Sequence, residues 1–231
     1  MTAKFYKVGG CIRDEILGLK SKDIDFAVEC PSFEAMREAI VARGGKIFLE
    51  TPQYFTIRAN VPGLGSTDYV LCRRDGAYRD GRRPENVTPG TIADDLARRD
   101  FTCNAMARNV DTGELLDPHG GQSDLTERML RCVGKPQHRL SEDALRAYRA
   151  VRFAVTKNLI ITHELSNHLM VMQKHEFDGV STERIREEML KMFQRDPSFS
   201  IHLLTRMYPV LWDVALERGI WLKPTIETVK Q

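Results

Sequence analysis

In the first half of the chain, apolar and polar residues alternate over short stretches broken by glycines and charged turns. Runs rich in β-branched and aromatic residues at 6–8, 24–28, 46–49, 55–58 and 68–72 predict strands. Between the second and third of these, residues 32–43 predict a helix, with Ser32 as its N-cap and Gly44-Gly45 as its stop. Residues 104–110 predict a further strand, followed by a turn at Asp111-Thr112-Gly113. The stretch 76–89 is rich in Gly, Arg, Pro and Asn and almost without apolar residues, which predicts a loop, with a helix following near 91–98.

After about Ser141 the period changes. Segments 141–156, 163–175, 181–195 and 197–206 carry apolar residues at helical spacing. Ser141 with Glu142-Asp143, and Ser181, read as helix starts, where acidic residues suit the helix dipole. The expected class is α+β, a mixed-sheet head over residues 1–138 followed by an all-helical region over 139–231. Trp212, Trp221 and Pro224 fall in a segment that the pattern does not assign.

Composition narrows the function classes. With 42% apolar and 29% charged residues over 231 positions, the chain reads as a globular protein with room for one large domain or two modest ones. No apolar run approaches a membrane span and the N-terminus lacks a signal core, so a cytoplasmic, membrane-free protein is expected. Five dispersed cysteines without a C-x-x-C pair argue for reduced thiols rather than a disulfide framework or a zinc site. The net charge of +2 says little, but arginines gather at 73–74, 79–83, 98–99 and 139–152, which would give a local basic surface.

The densest chemistry is Gly9-Gly10-Cys11-Ile12-Arg13-Asp14 followed by Asp23-Ile24-Asp25. Residues two apart on a strand project to one side, so Asp23 and Asp25 present two carboxylates together. Hard oxygen ligands suit Mg²⁺, and two bridged ions suit an in-line phosphoryl displacement. Asp68, opening the 68–72 strand, is the candidate third carboxylate. Gly9 and Gly10 would let the backbone approach a triphosphate, while Arg13 adds a forked donor; Asp14 reads as a structural partner. D-x-D arises by chance and G-G before a helix is commonly only a turn. Joined in one short stretch, they point to phosphoryl chemistry.

At these residues the chain resembles the class II tRNA nucleotidyltransferases (CCA-adding enzymes) and bacterial poly(A) polymerases. The 98–106 segment Arg-Arg-Asp-Phe-Thr-Cys-Asn-Ala-Met resembles their R-R-D-F-T-x-N-A-M motif. Asp117-Pro118-His119-Gly120-Gly121 with Asp124-Leu125 resembles D-P-x-x-G-x-x-D-L, Glu142-Asp143-Ala144-Leu145-Arg146 resembles the E-D-x-x-R helix, and 181–188 resembles the last neck motif. The resemblance implies a polymerase-β-like head and a helical neck with the nucleotide held between them. It implies Mg²⁺ on Asp23 and Asp25, the triphosphate at Gly9, Gly10 and Arg13, and the nucleotide at Arg99, Asp100 and Asn104. From the neck, Asp143, Arg146, Arg149 and Arg152 would line the nucleotide pocket. The implied activity is addition of CMP and AMP from CTP and ATP to the tRNA 3′ end, with two Mg²⁺ ions and pyrophosphate release. A poly(A) polymerase or another RNA 3′-nucleotidyltransferase is the alternative; a nucleotidyl-transferring toxin or an inactive RNA-binding relic is the non-polymerase one. In that strand the family more often has Glu where this chain has Asp68.

Asp143 and Arg146, three apart on an expected helix, would face the same way. A carboxylate only accepts hydrogen bonds and a guanidinium only donates them, matching the amino group and adjacent ring nitrogen of cytosine and adenine. Without the other motifs, an E-D…R…R…R helix reads as a solvated face with internal ion pairs. Near a ribose, Arg98-Arg99-Asp100 would read the 2′-OH. Phe153, Phe193, Met170 and Met172 are expected in the core. The family extends well past the neck, so the chain reads as truncated. A compact enzyme, a homodimer whose second subunit supplies the grip, and a different RNA acceptor are the three explanations.

Overall fold

The alternating segments pair into a seven-stranded mixed sheet in a computed structural model that describes residues 3–21, 24–76 and 87–220. The described residues form two compact units that part between Arg139 and Leu140.

In the first unit, β1 (Lys4–Val8) leads through a glycine turn into α1 (Gly10–Ile16), then β2 (Asp25–Glu29), α2 (Phe33–Ala42), β3 (Lys46–Thr51), β4 (Thr56–Val61) and β5 (Gly65–Leu71). A ribbon of β6 (Arg73–Asp75) and β7 (Val87–Pro89) follows, then α3 (Ile92–Ala97), β8 (Ala107–Asn109), β9 (Leu115–Leu116), α4 (Gly121–Thr126) and β10 (Met129–Leu130). The expected loop is therefore shorter than 76–89, because Val87–Pro89 pairs with Arg73–Asp75; residues 77–86 lie outside the described part. The strand order is β3-β4-β5-β2-β1-β8-β9. Only β2 and β5 pair in parallel; every other neighbouring pair in this sheet is antiparallel.

Period two gives the sheet two unlike faces. On one, Phe5, Phe26, Val28, Ile57, Ala59, Tyr69 and Leu71 pack under Met36 and Ile40 of α2. Phe26 and Tyr69, paired in register, stack with ring centroids 5.1 Å apart. Helix α2 starts as expected, with the Ser32 hydroxyl accepting from Ala35 N at 3.1 Å. On the other face, Tyr6, Val8, Ala27 and Ala107 pack against Ile92 and Leu96 of α3. Thr91 and Asp94 close a reciprocal capping box at the start of that helix. All five cysteines are free and buried.

Helix α5 (Pro136–Glu142) runs across the boundary. The second unit continues with α6 (Leu145–Lys157), β11 (Ile160–Ile161), α7 (His163–Val171), α8 (Thr182–Arg195), α9 (Pro197–His202) and α10 (Pro209–Glu217). Its core gathers Tyr148, Phe177, Ile185, Met189, Met192, Leu204 and Leu211, with the Tyr148 hydroxyl donating to Leu211 O at 2.6 Å. The expected helix over 141–156 is interrupted at Asp143-Ala144, and that over 163–175 stops at Val171 before a 3₁₀ turn. Residues 203–207 form a π-helical turn, and α10 accounts for the stretch around Trp212 that the pattern left unassigned. Trp221 and Pro224 lie outside the described residues. Phe153 and Met172 are buried as expected and Phe193 half so, whereas Met170 is half exposed. Among the described residues no helix is long and apolar enough to cross a membrane.

Gly121, at the first position of α4, locks that helix onto the segment before β8. A Cβ there would stand 2.2 Å from Thr102 O, a backbone atom that cannot swing aside. Gly121→Ala should therefore destabilise the protein at or above the upper end of the ~1–3 kcal/mol typical of overpacking. A urea melt would show it as a lowered midpoint with an unchanged slope.

Candidate functional site

The first cluster forms where β1 turns into α1. Gly9 has φ +72°, a conformation that side chains with a Cβ rarely adopt. A Cβ at Gly9 would also lie 2.8 Å from Arg99 Nη1, so the bare glycine is what lets this guanidinium sit against the turn. Arg99 donates through Nη1 to Asn104 O at 3.1 Å and through Nη2 to Asp95 Oδ2 at 3.0 Å. Arg13, only 7% exposed, donates to Asn104 Oδ1 at 2.7 Å and to Asp14 Oδ1 at 2.9 Å. Asn104 Nδ2 in turn donates to Asp100 Oδ1 at 3.0 Å, which also accepts from Phe101 N at 2.8 Å. Gly9, Gly10, Arg13, Arg99, Asp100 and Asn104 are thus brought together from segments some ninety positions apart. Asp14 is the structural partner expected, and its arginine is Arg13.

Two of the three candidate carboxylates lie on one face of adjoining strands. Phe26 and Tyr69 are register partners with both rings in the α2-side core, so Asp25 and Asp68, each one residue earlier, belong to the opposite face. Asp25 is exposed at the start of β2; burial and then the Asp25 charge raise the Cys11 thiol above its ordinary pKa. Asp68 is held by Arg58 of β4, which donates to its two oxygens at 2.7 and 2.9 Å. Asp23 lies outside the described residues. Among the described residues no group of three His, Cys, Asp or Glu side chains is arranged to hold a metal. The donors that are described, hard carboxylate oxygens on one face and one of them exposed, fit a hard divalent cation.

In the second unit the expected geometry changes. Asp143 does not lie on a helix beside Arg146; it precedes α6, its carboxylate accepting from Leu145 N at 3.1 Å and its carbonyl from Arg146 N at 3.0 Å. What orients the carboxylate is Arg184 of α8, whose Nη2 donates to Asp143 Oδ2 at 2.6 Å. Arg146 pairs with Glu142 at 2.5 Å. Arg149 and Arg152 both engage Glu188 of α8, a carboxylate only 5% exposed, and Arg152 also lies 4.0 Å over the Phe153 ring. Arg184 and Glu188 fall within the 181–188 motif, but residue-by-residue reading assigned them no part in holding Asp143, Arg149 and Arg152. Their spacing of four was visible on α8, but not the partners across from it.

A third missed residue is Asp95, at 2% exposure. It bridges Arg98 at 2.5 Å and Arg99 at 3.0 Å, and the i,i+3 and i,i+4 spacings of D-L-A-R-R were its available signal.

Comparison with known proteins decides the family. The Poly A polymerase head domain model matches residues 5–131, more than half of the chain. This chain belongs to the Poly A polymerase head domain family. Among the proteins similar to this family member, the CCA-adding enzyme of Oceanobacillus iheyensis is 36% identical over 190 residues, covering 82% of this chain and 46% of that protein. The CCA-adding enzyme of Levilactobacillus brevis is 37% identical over 193 residues, covering 81% and 45%. The chain thus spans about half the length of the curated relatives it matches. Of solved structures, the Bacillus stearothermophilus CCA-adding enzyme in complex with CTP superposes with TM-score 0.75 at 27% identity, over 96% of this chain and 56% of that one. A tRNA nucleotidyltransferase complexed with a primer tRNA and an incoming ATP analog superposes with TM-score 0.70 at 31% identity, over 92% and 59%. The fold is therefore the α+β head of this family followed by helices.

Burial pushes the Asp95 carboxyl up, but Arg98 and Arg99 outweigh it and hold the group below the ordinary carboxylate range. Asp95→Asn should cost about 1–3 kcal/mol at neutral pH, because two half-buried guanidinium groups lose the anion they share. A depressed folded pKa stabilises above the unfolded value of about 3.9 and is lost as pH falls through the folded one. Urea melts at pH 7 and pH 3 should therefore show the gap between wild type and variant narrowing in acid.

Proposed function

We propose that this chain transfers CMP and AMP from CTP and ATP to the 3′ end of tRNA, releasing pyrophosphate. The observation that carries this reading is the juxtaposition of an exposed carboxylate at the start of β2 with the Gly9 turn and its two arginines, all on the β1–β2 end of the family's head domain. The relatives named as CCA-adding enzymes support the substrate class.

Asp25 and, by its spacing, Asp23 would hold two Mg²⁺ ions, which when bound supply positive charge at the reacting phosphate and make the attacking hydroxyl more acidic. The Gly9 turn gives the triphosphate close backbone approach, and Arg99 places a guanidinium at that turn, fixed by Asp95 so that no reorganisation is needed as charge develops. Arg13, tied to Asn104 and Asp14, braces the turn and leaves Arg99 as the more accessible donor. Asp143 would accept from the amino group of cytosine or adenine while Arg146 donates to the ring nitrogen. Uracil and guanine would set a carbonyl against the carboxylate, and leaving a charged group unpaired costs enough to reject them. Asp143 can do this only while Arg184 aims its carboxylate.

The test uses tRNA transcripts ending before, within and after the CCA sequence, incubated with Mg²⁺ and CTP or ATP. Extension that stops on completing CCA is the expected result. Untemplated runs of A on any RNA would favour the polyadenylating reading that the family name allows, and no incorporation would remove the polymerase reading. Asp25→Ala should lower turnover by at least about a thousandfold, in the range lost with an essential electrostatic group, while leaving the thermal midpoint nearly unchanged because the side chain is exposed. Arg184→Ala should raise misincorporation of UMP and GMP relative to CMP, in the same direction as Asp143→Ala, when each nucleotide is offered alone.

A further inference from the structure

We propose that the open face of the outer strands β3, β4 and β5 carries the last nucleotides of the RNA acceptor, with Phe48 as a base-stacking residue and Arg58 as a phosphate contact. This rests on the reading that the chain extends RNA.

The face is defined by register. Ile57, Ala59 and Val61 of β4 are buried under α2, so Arg58 and Asn60 point to the other side. Arg58 pairs in register with Asp68 on β5 and with Leu49 on β3, and Asn60 with Lys46. Leu49, Arg58 and Asp68 therefore form a row across three strands, on the same face as Asp25 of β2. Nearer β1 this face is covered by α3, but among the described residues the outer half is open: Lys46, Leu49, Arg58 and Asn60 are all exposed.

The edge strand departs from ordinary edge design at one point. A β-bulge between Ile47 and Leu49 sets an extra residue, Phe48, beside the row, and leaves both Phe48 and Leu49 in water at 54% and 52% exposure. Bulges re-aim side chains and cluster near functional sites, whereas an exposed apolar edge is an aggregation liability that proteins otherwise avoid. An aromatic side chain beside a guanidinium and a lysine is the combination that binds a single-stranded nucleic acid, through a base face and a backbone phosphate.

Distance and continuity single out the acceptor strand as the occupant. With strands about 4.8 Å apart, β3 lies three spacings, or roughly 14 Å, from β2. At about 3.4 Å per stacked nucleotide, that is about four nucleotides upstream of a 3′ end held at Asp25. Arg58 is engaged by Asp68 here through a pair exposed to water, and an RNA phosphate would compete for the same guanidinium.

The test measures fluorescence anisotropy of a fluorescein-labelled tRNA transcript lacking CCA, titrated with the whole chain, alongside nucleotide addition to the same transcript. Phe48→Ala should weaken RNA binding by about tenfold, while CTP binding, followed separately, stays unchanged. Arg58→Gln should lower the slope of log affinity against log salt by about 0.7. Val41→Ser, an exposed apolar position on α2 against the opposite face, should bind RNA as wild type does. Wild-type affinity and salt slope in both face variants, with extension intact, would overturn this inference alone. A wild type that neither binds nor extends the transcript would fail the functional reading and this inference together. If sedimentation shows a dimer that Phe48→Ala dissociates with RNA affinity unchanged, the edge joins two copies of the chain and the proposal is overturned.

Discussion

A carboxylate shut away from water must be matched by cations and hydrogen bonds, and in each unit one such acid organises a pair of arginines. Asp95 holds Arg98 and Arg99; Glu188 holds Arg149 and Arg152. A long, flexible side chain gives up rotamer freedom to stand in one place, and a buried anion shared by two guanidinium groups is strong enough to impose that order. The acids also decide direction. Asp95 lies back along α3, so Arg99 is drawn against the Gly9 turn, while Arg98 reaches both Asp95 and Asp75 of the β6–β7 ribbon. Glu188 lies on α8, so the guanidinium groups of Arg149 and Arg152 are tethered to a second helix and cannot wander over the surface of α6.

The sheet supplies the complementary constraint. Its single parallel pairing, β2 with β5, sets Asp25 and Asp68 at neighbouring positions on one face. An antiparallel pairing of these strands would run Asp68 toward the far end of β2. The stack of Phe26 on Tyr69 beneath them fixes the register, since a slip of one residue by either strand would turn that strand's ring out of the α2-side core and its carboxylate into it. The apolar packing on one side of the sheet is thus what guarantees the polar arrangement on the other.

This division explains how far the chain could be read from its residues alone. Each of the first five strands was legible, because alternation over a half-buried strand is a local signal, and so was α2, with its Ser32 cap and glycine stop. Gly9 and Arg99 were legible as members of motifs, but their contact was not: it depends on a closure across ninety positions and on a left-handed backbone angle. Asp143 was placed on a helix because Ser141-Glu142-Asp143 looks like a helix start; instead the helix breaks after Glu142, where the Asp143 carboxylate accepts from Leu145 N and from Arg184 of α8. No local pattern carries that, since Arg184 is contributed by a helix forty-one positions on. The strand at Val87–Pro89 was hidden for a similar reason: three residues with a proline have no period, and only pairing with Arg73–Asp75 makes them a strand.

The acids of this chain divide by burial, and the division separates those locked to arginines from those open to water. Asp95 and Glu188, shut in with two arginines each, have no lone pairs turned to solvent on which a divalent ion could settle without first expelling a guanidinium. Asp25 stands exposed at the start of its strand, where a hydrated cation can reach its carboxylate. Asp68 lies between these cases, half-exposed and bonded at both oxygens to an arginine that is itself in water. An exposed pair of this kind, open to water and screened by salt, holds its partners only weakly. It can therefore be exchanged, as the buried pairs cannot, and it is the member of the carboxylate row whose partner can change with what binds beside it.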